Sequence, residues 1–267
     1  MTDFNQLVTD LLEETWRHDP VGATHVGVHR YDHLLPDWSA DAMEGWGQTL
    51  RDLRARFEAV DPTSLSRQEK LDRRWAIAVL DKAILDHDLA LWARSPKAAV
   101  ESLANGLHDL LIGQFAPKEE RFEALLARLK AAPHFLENVR RLFRPETIPP
   151  IWIDYGLRTA QSTRRFIAEA IPEAAAEVPA LEAEIVEASR AAAQAVADFE
   201  AVVKDLGGEA RGDYAVGRER FDFILQRYHL LDMDSEALYE FGREWIDRYE
   251  REMVEVAARI DPNKSWV

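Results

Sequence analysis

The sequence predicts an all-α fold, an elongated multi-helix bundle of long antiparallel amphipathic helices. Three observations carry that expectation. Apolar residues recur at steps of three, four or seven over most of the chain, and Leu181, Ile185, Ala188, Ala192, Ala195, Phe199, Val202 and Leu206 do so without a slip. Capping and breaking residues punctuate the pattern at helix-length intervals. No stretch shows the alternation of a half-buried strand, and no repeat of roughly 20–50 residues points to a solenoid.

The first helix is expected over residues 3–18, with Phe4, Leu7, Leu11 and Trp16 as its apolar side and Asp19-Pro20 as its stop. Gly22, Gly27 and Pro36 then break any long helix, so 19–39 reads as loop around one helical turn. Ser39 suits the N-cap of a helix reaching about Val60, with Met43, Trp46, Leu50, Leu53 and Phe57 on one face. Ser66 and Glu69 form a capping-box pattern. Behind it, Leu71, Trp75, Ala78, Leu85, Leu89 and Trp92 trace a long helix ended by Ser95-Pro96. Residues 97–113 continue helical. Pro117, Glu119 and Glu120 open the next helix, which Pro133 should close before a shorter one at 134–143. After the turn-rich RPETIPP, a helix runs from Ile151 to Ile171, up to Pro172. The alanine-rich 181–206 helix stops at Gly207-Gly208, and its small residues suit close antiparallel packing. A glycine-bearing loop follows, then a helix with Phe221, Ile224, Leu225 and Tyr228. Asp234 caps the last, with Leu238, Gly242, Trp245, Tyr249, Met253, Val256 and Ile260.

Composition limits the chemistry. The chain has 267 residues, 47% of them hydrophobic and 30% charged, enough to bury a sizeable core. With no cysteine there is no disulfide, thiolate metal site or cysteine nucleophile. A formal charge of −15 disfavours nucleic acid or an anionic membrane as partner. The acidic, periodic start shows no secretory pattern, and no segment approaches the roughly 18 apolar residues of a membrane span, so a cytoplasmic location is expected.

Local chemistry concentrates in Asp19–Ser39. His25, His29 and His33 lie there at steps of four, beside Asp32 and Asp37. His25-Val-Gly-Val-His29 has the histidine spacing of a zincin helix but lacks its glutamate, and Gly27 weakens the helix that would aim both rings at one metal. A metal site on His25, His29 and His33 competes with a structured loop whose rings and Asp32 bond to backbone, and the loop is favoured. Glu14 and His18, Asp86-His87-Asp88, His108-Asp109 and His134 read as surface, capping or structural groups. The eight tryptophans read first as core. No phosphate-loop, dinucleotide or nucleophile-elbow motif occurs.

Asp19-Pro20, Ala23-Thr24, Gly27, His29-Arg30-Tyr31-Asp32 and Asp37-Trp38-Ser39 resemble the opening motif of the DUF885 proteins, a bacterial family of unknown function related to gluzincin-type zinc peptidases. Matches continue in order: Leu65-Ser66 to Leu71-Asp72, Phe115-Ala116-Pro117, Arg121, Arg128-Leu129, Pro149-Pro150, Gly217, Phe221, Leu238, Gly242, Glu252-Met253, Ile260-Asp261-Pro262 and Trp266. Members of this kind are longer, with a zinc helix of the H-E-x-x-x-G-H-H sort in the C-terminal half. No His-Glu dipeptide occurs here, so no catalytic ligand or base can be carried over.

The resemblance therefore implies a single helical region, 1–267, which could divide into sub-bundles 1–115 and 116–267. It would be the non-catalytic N-terminal half of such a hydrolase, and the apolar Trp266-Val267 ending reads as an interrupted domain. The implied partners are a C-terminal catalytic half and a peptide or small-molecule substrate. No cofactor belongs to this chain, and zinc is expected only with that other half. His29, Tyr31 and Asp32 are the candidates to face a substrate cleft, unless Tyr31 and Asp32 only pin a loop. The alternative is a standalone helical interaction or scaffold module without enzymatic activity.

Overall fold

The computed structural model describes residues 4–261 and 263. Helix starts follow the local capping chemistry. Ser39 accepts from Ala42 N to open α3 (Ala40–Ala59), and Ser66 and Glu69 form a full capping box on α4 (Arg67–Asp88). Ser95 caps α5 (Pro96–Ile112), whose first-turn proline gives up only an N–H that would be unpaired there. The remaining helices of residues 1–214 are α1 (Phe4–His18), α2 (Pro20–His25), α6 (Lys118–Arg140), α7 (Pro150–Arg165), α8 (Ile171–Ala175) and α9 (Glu182–Gly207). Among the described residues there is no strand, and the fold is all-α.

By its contacts the chain divides into Met1–Tyr214 and Ala215–Val267. The first unit holds two apolar clusters. In one, Phe4, Leu7 and Leu11 of α1 meet Leu50, Leu53 and Phe57 of α3 and Leu80 of α4. The other joins α5 to α9, from Leu103, Leu107 and Leu110 through Leu125, Leu129 and Phe135 to Ile185, Val196 and Phe199. This cluster runs unbroken across residues 115 and 116. In the second unit, α10 (Arg218–Phe223) continues into a π-helical turn, and Asp222 accepts from Ser235 N at the start of α11 (Ser235–Ile260).

Tertiary contacts override several local expectations. The helix expected to end at Pro133 runs through it, because Leu129, Ala132, Phe135, Leu136 and Val139 bury one continuous face and outweigh one lost backbone bond. The helix expected to end before Pro172 also crosses its proline. It does so through a π-helical turn at Phe166–Ala170 that shifts the ladder at the proline's missing donor. Conversely, α4 stops at Asp88, eight residues before Pro96, and Ala90 just after it turns left-handed at φ 48°. Its buried residues are Ala76, Ala78, Leu80 and Asp81, so Ala78 of the expected stripe is buried, while Leu71 and Trp75 are 53% and 61% exposed. Apolar residues form two overlapping stripes on α4, and packing on α1 and α3 selects one. Trp75 is thus not core. On α9 the buried seam runs Ile185, Ser189, Ala192, Val196, Phe199 and Val203, so Ala195, Val202 and Leu206 fall at its edge.

Candidate functional site

The 19–39 stretch is shaped by short-range bonds and held by one long-range clasp. The Asp19 carboxylate accepts from Gly22 N at 2.9 Å, and Pro20 occupies the first turn of α2. The helix ends as Gly27 adopts φ 87° and Val28 N donates to Ala23 O at 2.8 Å. A short 3-10 turn at His29–Tyr31 follows.

The clasp is Arg128, wholly buried in the middle of α6. Its guanidinium donates to Leu34 O (2.8 Å), Gly106 O (2.6 Å), Pro20 O (3.1 Å) and Thr24 Oγ1 (2.7 Å). Thr24 in turn donates to Asp32 Oδ1 at 2.6 Å, and His29 Nδ1 lies 3.1 Å from Asp32 Oδ2. A chain of polar contacts therefore runs from Arg128 through Thr24 and Asp32 to the His29 ring. Burial pulls the Arg128 pKa down to about 10, and the Asp32 carboxylate acts against that fall. At that value the side chain remains charged at neutral pH, held by four hydrogen bonds.

His29 stacks on Phe115, with ring centroids 3.6 Å apart and planes 10° apart. These two, with Asp32, His33, Glu120 and Arg121, line a cavity of about 390 Å³. Arg121 is buried like Arg128 and donates to Leu110 O, Leu111 O and Ala116 O, fixing the Phe115-Ala116-Pro117 turn that forms the cavity's far wall. Of the three candidate cleft residues, His29 and Asp32 share this cavity. Tyr31 turns the other way. Its hydroxyl donates to Glu13 Oε2 at 3.3 Å, and Arg30 lies over its ring and that of Trp16 while pairing with Glu13.

The three histidines of the alternative metal site diverge. His25 meets Asp109 at 3.1 Å, His29 meets Asp32, and His33 stands exposed at the cavity. Among the described residues no group of three His, Asp or Glu side chains is assembled to hold a metal ion, the His25, His29 and His33 set included. The remaining candidates settle into local packing. Glu14 pairs with Arg17, while His18 stacks on Trp46 at 4.1 Å. Burial pushes the His18 pKa down to about 4, Asp19 opposing and His87 adding to the fall. His87 Nε2 meets Met43 O at 2.8 Å, its ring filling the space a side chain at Gly47 would need. His134 accepts from Asn138.

Arg121 and Arg128 stand among the family-like positions, but their buried roles were not expected. The signal was present, since Arg121, Leu125, Arg128, Ala132 and Phe135 share one four-three seam, and a cation on an apolar seam needs buried acceptors.

The class defined by these features is an all-helical domain built on a buried-arginine clasp. The chain belongs to the DUF885 family, described as bacterial proteins of unknown function, whose pattern matches residues 20–266. Of its quoted motif positions, Pro262 and Trp266 lie outside the described residues. No curated protein matches the chain. A solved structure from Shewanella oneidensis, described as "a putative lipoprotein of unknown function", is similar in fold, with a TM-score of 0.84 at 18% identity. The match covers 100% of this chain and 50% of that one, so the present chain spans half its length. Among the described residues no helix is long and apolar enough to cross a membrane.

Proposed function

We propose that this chain is the non-catalytic N-terminal helical region of a zinc metallopeptidase-like hydrolase of the DUF885 type, forming one wall of its substrate cleft. Its partner is the C-terminal catalytic half of the same protein, which would bring the zinc. The observation that carries the reading is α11. None of its 26 residues is buried, and Tyr239, Phe241, Ile246, Tyr249, Met253 and Val254 all stand exposed. A helix with that much bare apolar surface is built to be covered. The half-length correspondence to the Shewanella structure supports a cover of similar size.

In this reading the cavity at His29 and Asp32 contributes to the cleft, with a peptide or small molecule as its occupant. The stacked His29 ring offers an aromatic platform, and Tyr31 braces the same turn through Glu13. The reading includes a cytoplasmic location without nucleic acid or membrane as partner, which the charge of −15 supports.

The deciding measurement is the intact mass of the protein captured from its own cells with an antibody to these residues. A mass well above 30.5 kDa, with stoichiometric zinc and peptidase activity in the longer chain, is the expected result. A mass near 30.5 kDa removes the enzyme reading and leaves a standalone interaction module.

A further inference from the structure

A second cavity lies away from the 19–39 stretch, between α9 and the α7–α8 segment. It encloses about 380 Å³, within the range of small-molecule sites. Its walls are largely apolar, with Ala168, Pro172, Val186 and Ala193 among them. Ala168 belongs to the π-helical turn that Pro172 imposes, so the distortion that lets the helix cross its proline also shapes this wall.

Four polar side chains line the cavity, of which Gln194 is engaged in donating to Asp198 at 2.8 Å. Arg164 lines it but is paired with Glu200 at 2.9 Å, which cancels most of its charge. Arg190 lines it and has no ion pair or hydrogen bond among the described residues, leaving one net positive charge. Ser189 lines it too, is 1% exposed, and its Oγ has no hydrogen-bond partner among the described residues. A buried hydroxyl without a partner is costly and uncommon, and an acceptor arriving from the cavity would satisfy it.

We propose that this cavity binds a small organic carboxylate, its oxyanion on Arg190 and the Ser189 hydroxyl and its short apolar chain on Pro172, Val186 and the alanines. A single uncompensated guanidinium matches a monoanion, and the planar fork of arginine matches a carboxylate. The apolar walls give a phosphate nothing to contact beyond its charge. Arg165 and Glu169, one of each charge, line the adjoining hollow and leave that balance unchanged. The site is independent of the hydrolase reading, since none of its residues belongs to the cavity at His29.

Isothermal titration of the full chain with sodium hexanoate, and separately with inorganic phosphate, tests the proposal. Hexanoate should bind saturably at one site. Arg190→Gln should weaken it about tenfold or more, and Ser189→Ala by less, as expected for the loss of a charged and a neutral hydrogen bond. Ala193→Leu, which fills the cavity without changing charge, should abolish binding. Lys204→Gln, exposed on the same helix, should change nothing. Thermal unfolding of each variant checks that it is folded. Absence of saturable hexanoate binding, or binding undiminished in Arg190→Gln or Ala193→Leu, overturns the site. Phosphate binding as tightly as hexanoate overturns the assignment of an apolar-tailed ligand.

Discussion

Helices α6 and α11 are near equals in sequence and opposites in structure. They have 23 and 26 residues, and both carry apolar side chains at helical spacing. Yet α6 buries ten residues, two of them arginines, and α11 buries none. An amphipathic pattern declares that a helix has a face; it does not say that the face is covered. In α6 the covering is so complete that guanidinium groups inside it must find every acceptor they need. In α11 the same kind of surface meets solvent.

Four measurements sharpen or break that contrast. The largest effect is expected for Arg128→Met, which leaves Leu34 O, Gly106 O and Pro20 O without their buried donor. Urea unfolding should show a loss of about 3–5 kcal/mol. A loss under about 1 kcal/mol would mean that the clasp is ornamental.

The second concerns His18. Its folded pKa, about 4, lies below the ordinary value of 6.5, so the unfolded chain binds the proton more readily. The stabilisation is then full above pH 6.5 and fades as the pH falls through 4, to a total of up to about 3 kcal/mol. His18→Phe, which keeps the stack on Trp46 without titrating, should flatten the decline between those values, and an unchanged slope would refute the assignment.

The third is Gly106→Ala. A methyl there would sit 2.9 Å from Val21 and 3.3 Å from Arg128, so α2 and the clasp must give way, at about 1–3 kcal/mol. Last, Ile246→Ser on α11 should move the stability of this chain by no more than about 0.5 kcal/mol, because nothing is uncovered. A cost comparable to that of Gly106→Ala would show α11 to be buried in solution and would erase the contrast.

The two helices also separate what local reading can reach from what it cannot. The capping box at Ser66 and Glu69, the cap at Ser39 and the helix break at Gly27 were legible because each involves residues within four positions of one another. The ends expected at Pro133 and Pro172 failed for the opposite reason. A proline's local cost is fixed, but the gain from burying the helix beyond it depends on α9 and on the other helices packed there. The candidate site divides the same way. His29 and Asp32 share a cavity, as their spacing in one short stretch permits, while Tyr31 was sent toward α1 by Glu13, eighteen residues earlier.

The sequence by itself determined the helical class, most helix starts, the absence of thiol chemistry and the segment where polar groups gather, since all of these follow from composition or near-neighbour bonds. Tertiary structure alone decided which stripe of α4 is buried, which side of α9 forms the seam, and that Arg128, more than ninety residues from Leu34 and Thr24, gathers them into one clasp. Those outcomes turn on contacts between segments far apart in the chain, and neither helical period nor capping chemistry carries information about which face will find a partner.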